Sequence, residues 1–252
     1  MRDAVRLAFG TLTILPVRPP RTVDRRTAGR AMVLAPVVGL VLAAAAVAAQ
    51  SVLDGSPPLL TAVLLIGLLA VLTRGIHLDG LADTADGIGS GGRSQEALAV
   101  MRRSDIGPFG VLTLVLVLLL QVAALAELLS RHTGAVQLTV ALVVSRLVLP
   151  LLCTARVPAA RTDGLGSVVA GSVGLPGAVL ALLLVLVAVV LAVVLGRPDL
   201  DGVHTVALLV PPLLAAGLLG WRCVRRFGGV TGDVLGACVE TAFTTALVGA
   251  CL

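Results

Sequence analysis

Seven stretches of this chain are long and apolar enough to cross a lipid bilayer, and that property decides the solvent against which the chain folds. They cover residues 31–53, 57–73, 109–129, 136–152, 175–196, 203–220 and 234–252, each near the roughly 20 residues that a helix needs to span the hydrocarbon layer. With 58% hydrophobic and 13% charged residues among 252, water is not the main solvent. The stretches are rich in Leu, Val and Ala and lack strict alternation, which argues for helices and against an outer-membrane barrel. The expected fold is therefore all-α: a polytopic bundle of about seven transmembrane helices, forming one domain over residues 1–252.

Orientation follows from the arginines, which make up all 19 basic residues. The leader holds Arg2, Arg6, Arg18, Arg21, Arg25, Arg26 and Arg30. The even-numbered loops hold Arg74, Arg93, Arg102, Arg103, Arg156, Arg161, Arg222, Arg225 and Arg226, whereas the alternate loops hold only Arg131 and Arg197. Because loops that stay in the cytoplasm retain positive charge, the pattern expects a cytoplasmic N-terminus, an external C-terminus and a bacterial inner-membrane location. The formal charge of +5 is then a field on one face, suited to anionic headgroups or an anionic substrate, and nucleic acid is an unnecessary inference. Residues 3–15 read as an interfacial helix on that face, since prolines and further arginines follow them and no small-residue cleavage pattern does. Cys153, Cys223, Cys238 and Cys251 show no paired spacing and read as packing residues.

The cytoplasmic segment 74–108 departs from this background. Its centre reads His77-Leu-Asp79-Gly80-Leu-Ala-Asp83-Thr-Ala-Asp86-Gly87. On a helix, positions 79, 83 and 86 fall within an arc of roughly 60°, so three carboxylates are expected to point one way. At about 6 Å and an effective dielectric near 20, each pair repels by roughly 3 kcal/mol, which a bound divalent cation would relieve. Hard oxygen donors without cysteine favour Mg²⁺, with Mn²⁺ as the substitute, and magnesium commonly shares its shell with substrate phosphates. Gly80 and Gly87 leave the backbone open to a neighbouring helix or a bulky ligand. His77 is placed to bind a phosphate or to orient a ligand, and Arg102, Arg103 and Ser104, at the end of an amphipathic helix expected over 94–103, to contact phosphate. An acidic face in solvent and a positive anchor beside a span are the plainer alternatives for these residues.

Three charges fall in or beside the later spans. Asp233 opens the last helix, where an N-cap is the simplest role, while Glu240 lies two turns deeper on the same face and reads as either a site residue or an interhelical hydrogen-bond partner. Arg146 lies within the fourth span and either serves the site or snorkels to the surface. The phrase Asp86-Gly-Ile-Gly-Ser90 is echoed by Asp163-Gly-Leu-Gly-Ser167, without a repeat period to support it.

The aspartate motif, the following Met101-Arg102-Arg103-Ser104-Asp105-Ile-Gly107-Pro-Phe109-Gly110, and the closing Gly229-Val-Thr231-Gly232-Asp233 with Glu240 resemble the cobalamin synthase family, the adenosylcobinamide-GDP ribazoletransferases. The resemblance extends to Leu12-Thr-Ile-Leu-Pro-Val17, Pro36-Val-Val-Gly39, Ser145-Arg146, and Ala155-Arg156 through Asp163-Gly164-Leu165-Gly166. It implies a magnesium-dependent transferase in which Asp79, Asp83 and Asp86 carry the metal and catalysis. His77, Gly80, Gly87, Arg102, Ser104, Arg146, Arg156, Asp233 and Glu240 would contact substrate. Adenosylcobinamide-GDP would be joined to α-ribazole or its 5′-phosphate with release of GMP, as the last step of cobalamin assembly. The family more often has an acid at position 103 and a base at 105, the reverse of Arg103 and Asp105, so no role carries over for those two. Association into homo-oligomers or with other cobalamin-pathway proteins is compatible with the chain, although no motif indicates it. From the residues alone, a lipid phosphatidyltransferase acting on CDP-alcohols and a transporter of an anionic metabolite stay open as alternatives.

Overall fold

A helix that must bury polar backbone in lipid satisfies its hydrogen bonds internally, and helices account for every regular element among the described residues. The computed structural model describes residues 1–131, 134–196 and 202–251. Arg197 and Leu252 lie outside them. Twelve helices are described: α1 (Arg2–Leu12), α2 (Arg25–Val33), α3 (Ala35–Val52), α4 (Pro58–Leu72), α5 (Ile76–Gly89), α6 (Ser94–Val100), α7 (Pro108–Ser130), α8 (Gly134–Leu152), α9 (Gly164–Val169), α10 (Leu175–Gly196), α11 (Gly202–Phe227) and α12 (Gly232–Gly249).

Helices occupy all seven expected stretches, but length and hydropathy support fewer spans. Four described helical segments pass both tests, Ala35–Val52, Pro108–Ser130, Gly134–Leu152 and Leu208–Phe227, and the bent pair α4 and α5 raises the number to five at most. The difference has physical causes. Helix α4 has only 15 residues, the described apolar part of α10 is Leu175–Leu191, and α12 carries Asp233 and Glu240. The first stretch also starts later than expected. Asp24 accepts from Thr27 N at 2.7 Å to cap α2, and α3 begins afresh at Ala35 with Pro36 in its first turn, where the missing N–H is harmless.

Helix α12 is the axis of the molecule and packs against α5, α7, α8 and α11, with residues from Val234 to Glu240 all buried. Helix α8 supports it from the side and is itself buried along most of its length. The peripheral helices turn large apolar groups outward. On α7 the exposed Leu112, Leu116, Leu119 and Leu120 follow a helical stripe, and Leu180, Leu183, Leu184 and Val187 do so on α10. Such stripes on a soluble protein would be a liability, whereas facing lipid they are the expected surface. Helix α1 buries Ala4, Ala8 and Leu12 on one side, in keeping with the amphipathic helix expected there.

Between α4 and α5 the axis turns by 88°. Arg74 and Gly75 both adopt positive φ (56° and 64°), and Gly75 N closes the end of α4 on Ala70 O at 2.8 Å. Arg74 is an uncommon residue for that conformation, and its guanidinium is held by Gly10 O (2.9 Å) and Thr11 O (3.1 Å) of α1. This turn stops the chain from continuing along α4 and sets α5 nearly perpendicular to it, against α12 and α7.

Candidate active site

The acidic motif lies on α5, and its neighbour is the start of α12. Glycines set how closely the two approach: a Cβ on Gly80 would sit 2.6 Å from Asp233 O, and one on Gly236 would sit 3.1 Å from His77 Cα. Each helix therefore presents a smooth patch to the other, and the carboxylates of both meet at one edge of the contact. Gly87 is filled in the same way, by the Met101 side chain and the Phe227 ring. Gly80 and Gly87 thus serve helix packing, and the room for a ligand that their size suggests is taken by protein.

At that edge a cleft of about 360 Å³ is lined by His77 and Asp79 of α5, Asp233 of α12, Arg74, Arg161, and the run Asp163 to Ser167 that opens α9. Asp79 is exposed, Asp83 half-buried and Asp86 buried. Burial, then the charges of Asp79, Asp233 and Asp86, push the Asp83 carboxyl up to about 7, against the opposing pull of Arg161. Asp233 is likewise raised, chiefly by burial. The N-cap of α12 is Thr231, whose hydroxyl accepts from Val234 N at 3.2 Å, so the Asp233 carboxylate is left to face the cleft.

Asp86, which helical spacing groups with the other two, is committed elsewhere. Its Oδ2 accepts from Gly107 N at 2.7 Å and its Oδ1 from Gly110 N at 2.9 Å, at the start of α7. The cause is the unpaired N–H groups of a helix N-terminus, which draw in a carboxylate from a neighbouring element. Among the described residues no three His, Cys, Asp or Glu side chains converge closely enough to hold a metal ion by themselves.

The other expected site residues separate into groups. His77 lines the cleft, but it is buried, its Nδ1 has no partner, and burial followed by the charge of Arg146 lowers its pKa to about 3. It is a neutral imidazole and cannot act as a phosphate-binding cation. Arg102 donates to both oxygens of Asp163 at 2.8 and 2.9 Å. Ser104 and Arg156 are exposed and do not line the cleft. Arg146 and Glu240 lie deeper, beside a cavity of only about 20 Å³. Rather than snorkelling, Arg146 is buried, donates to Ser145 Oγ at 2.8 Å and lies 5.9 Å from the Phe243 ring centre. Glu240 accepts from Gln121 Nε2 at 2.8 Å, tying α12 to α7, and so takes the interhelical role.

Two contributors escaped the motif. Arg161 has its Nη1 3.6 Å from Asp233 Oδ2 and donates from Nη2 to Leu98 O at 2.8 Å, while its Nε is buried without a partner. In sequence it is one loop arginine among many. The 163–167 segment lines the cleft, and in sequence it is marked by its echo of the 86–90 phrase and by its place in the family resemblance.

The match with known proteins runs the length of the chain. Residues 4–251 match the family model described as cobalamin-5-phosphate synthase. A Nocardioides sp. protein named adenosylcobinamide-GDP ribazoletransferase is 47% identical, covering 98% of each chain. Proteins of the same name from Frankia casuarinae (45% identical, 96% of this chain and 92% of the relative) and Pseudomonas aeruginosa (41% identical, 100% of both) are similar over comparable lengths. No solved structure matches the chain.

Proposed function

The chain belongs to the cobalamin-5-phosphate synthase family and is a transferase of cobalamin biosynthesis, and from that premise we propose that it joins adenosylcobinamide-GDP to α-ribazole, or to its 5′-phosphate, with release of GMP in a Mg²⁺-dependent reaction. The observation that carries the reading is the apposition of Asp79 and Asp83 on α5 with Asp233 on α12, within reach of the Arg161 charge.

Asp79 and Asp83 would hold the metal. The donor set fits a hard cation, since oxygen donors already repel one another there, and magnesium is usually held by one or two carboxylates together with substrate phosphates and water. This is consistent with a cleft whose own side chains do not complete a coordination shell. When bound, the ion supplies neutralisation of the pyrophosphate charge. The remaining work belongs to the chain. A ribazole hydroxyl attacks the corrinoid-side phosphorus, the new O–P bond forms as the bond to the GMP oxygen breaks, and the hydroxyl proton passes to Asp233. Asp233 suits that task because burial raises its affinity for a proton and because it faces the cleft. His77, uncharged and buried, positions rather than titrates. Asp86 holds the start of α7 and so fixes the rim. The arginine-rich face is assigned to the cytoplasm of a bacterial inner membrane, where the nucleotide substrates are found.

The test is product identity. Purified protein with Mg²⁺ should release GMP only when the corrinoid-GDP and the ribazole are both supplied. Release of CMP from a CDP-alcohol lipid, with no GMP under the first condition, would replace this reading by the lipid one.

A further inference from the structure

Arg161 is a wall common to two cavities of opposite character. On one side lies the cleft lined by Asp79, Asp163 and Asp233. On the other, between α6 and the 159–162 segment, is a cavity of about 530 Å³ whose lining includes Gln95, Leu98, Arg102, Arg161 and Thr162 and no acidic side chain. We propose that this second cavity is a subsite for a phosphomonoester, the dianionic group carried by GMP and by α-ribazole 5′-phosphate. It rests on the transfer reaction proposed above.

Three observations support it. The volume falls within the range of small-molecule sites, about 300–1,000 Å³. Two guanidinium groups and no carboxylate line it, the partners Asp163 and Asp233 lying on the far side of the partition, and guanidinium forks match phosphate oxygens in pairs. Finally, Arg161 has donor capacity to spare, because Nη1 is beyond hydrogen-bond distance of Asp233 and Nε is buried without a partner. Arg102 is held at the partition by its paired bonds to Asp163, which itself lines the acidic cleft. The geometry suits the reaction. As the phosphoanhydride breaks, the GMP phosphate gains charge in a cleft rich in carboxylates, and one arginine away lies a basic cavity to receive it. An incoming ribazole 5′-phosphate would find the same complement.

Calorimetric titration of the full-length protein in detergent, without Mg²⁺, distinguishes these sources. The probes are GMP against guanosine, and α-ribazole 5′-phosphate against α-ribazole. The variants are Arg102→Gln and Gln95→Glu. The second is exposed in the first turn of α6, where an added acid suits the helix and the fold is spared. Wild type should bind at least one phosphorylated probe about tenfold or more tightly than its unphosphorylated partner, and both variants should remove about tenfold of that preference while their thermal unfolding is unchanged. Loss confined to GMP assigns the subsite to the leaving group, and loss confined to the ribazole phosphate assigns it to the acceptor. Equal affinities in wild type and both variants, or no phosphate preference in wild type, overturn the proposal. Binding is read without turnover, so a wild type that binds GMP here yet forms no product would instead refute the proposed reaction.

Discussion

Asp83 sits where the fold and the reaction make opposite demands. Its carboxyl, pushed up to about 7, releases its proton less readily in the fold than in the unfolded chain, where the ordinary value is 3.8. The resulting destabilisation is absent below about pH 4, grows as the pH rises, and is complete above about 7. Asp83→Asn should therefore raise the melting temperature of the metal-free protein at pH 8, leave it unchanged at pH 4, and lower turnover by about 100-fold or more. Asp86 predicts the reverse. Asp86→Ala leaves two amides of the α7 start without their acceptor and should lower stability by about 1–3 kcal/mol, read by thermal unfolding. An unchanged melting temperature with lost Mg²⁺ affinity would return Asp86 to the metal site. For Glu240, the conservative Glu240→Gln keeps an acceptor for Gln121, so turnover should stay within about threefold of wild type, since only the charge is removed. Inactivity with a normal melting temperature would move Glu240 into the site. Of the acids, the spacing made the proximity of Asp79 and Asp83 legible, because both belong to one helix. It gave no sign of the bonds Asp86 makes, because those depend on the amides of a helix 21 and 24 residues away in sequence.

At the scale of elements, the site is a contact between α5 and α12, and what brings them together is the absence of side chains. A methyl group at position 80 would lie 2.6 Å from Asp233 O and 2.8 Å from its Cα, so backbone rather than a flexible side chain must give way. Gly80→Ala is expected to cost about 1–3 kcal/mol of stability by overpacking. Because it also separates Asp79 from Asp233, it should reduce turnover about tenfold or more even where the protein remains folded. Full activity with unchanged unfolding would show that the two helices need not touch so closely. The existence of α5 followed from its helical spacing, whereas its 88° departure from α4 did not, since the turn depends on Arg74 reaching the carbonyls of α1.

For the molecule as a whole, the division of charge between faces leads to a test of topology. An alkaline phosphatase fused after residue 252 should be active outside the cytoplasm, and one fused within 90–93 inactive. Activity of both, or of neither, would contradict an odd number of crossings between the two fusion sites. Helices are found at all seven apolar stretches, and their lengths and hydropathies support four or five spans. Part of the difference arises because α12 is shielded by its neighbours, which lets it carry acids that a lipid-facing helix would not tolerate.

Amino-acid order alone determined the helical class, the position of the apolar elements, the polarised arginines and the α5 acids, because each is a local property of hydropathy, spacing or charge. Tertiary structure decided which acids share a cleft, that Arg161 and residues 163–167 join them, and that Arg146 and Glu240 turn inward. Those outcomes depend on backbone amides, glycine contacts and neighbouring charges supplied by distant segments, and interactions of that kind leave no periodic trace along the chain.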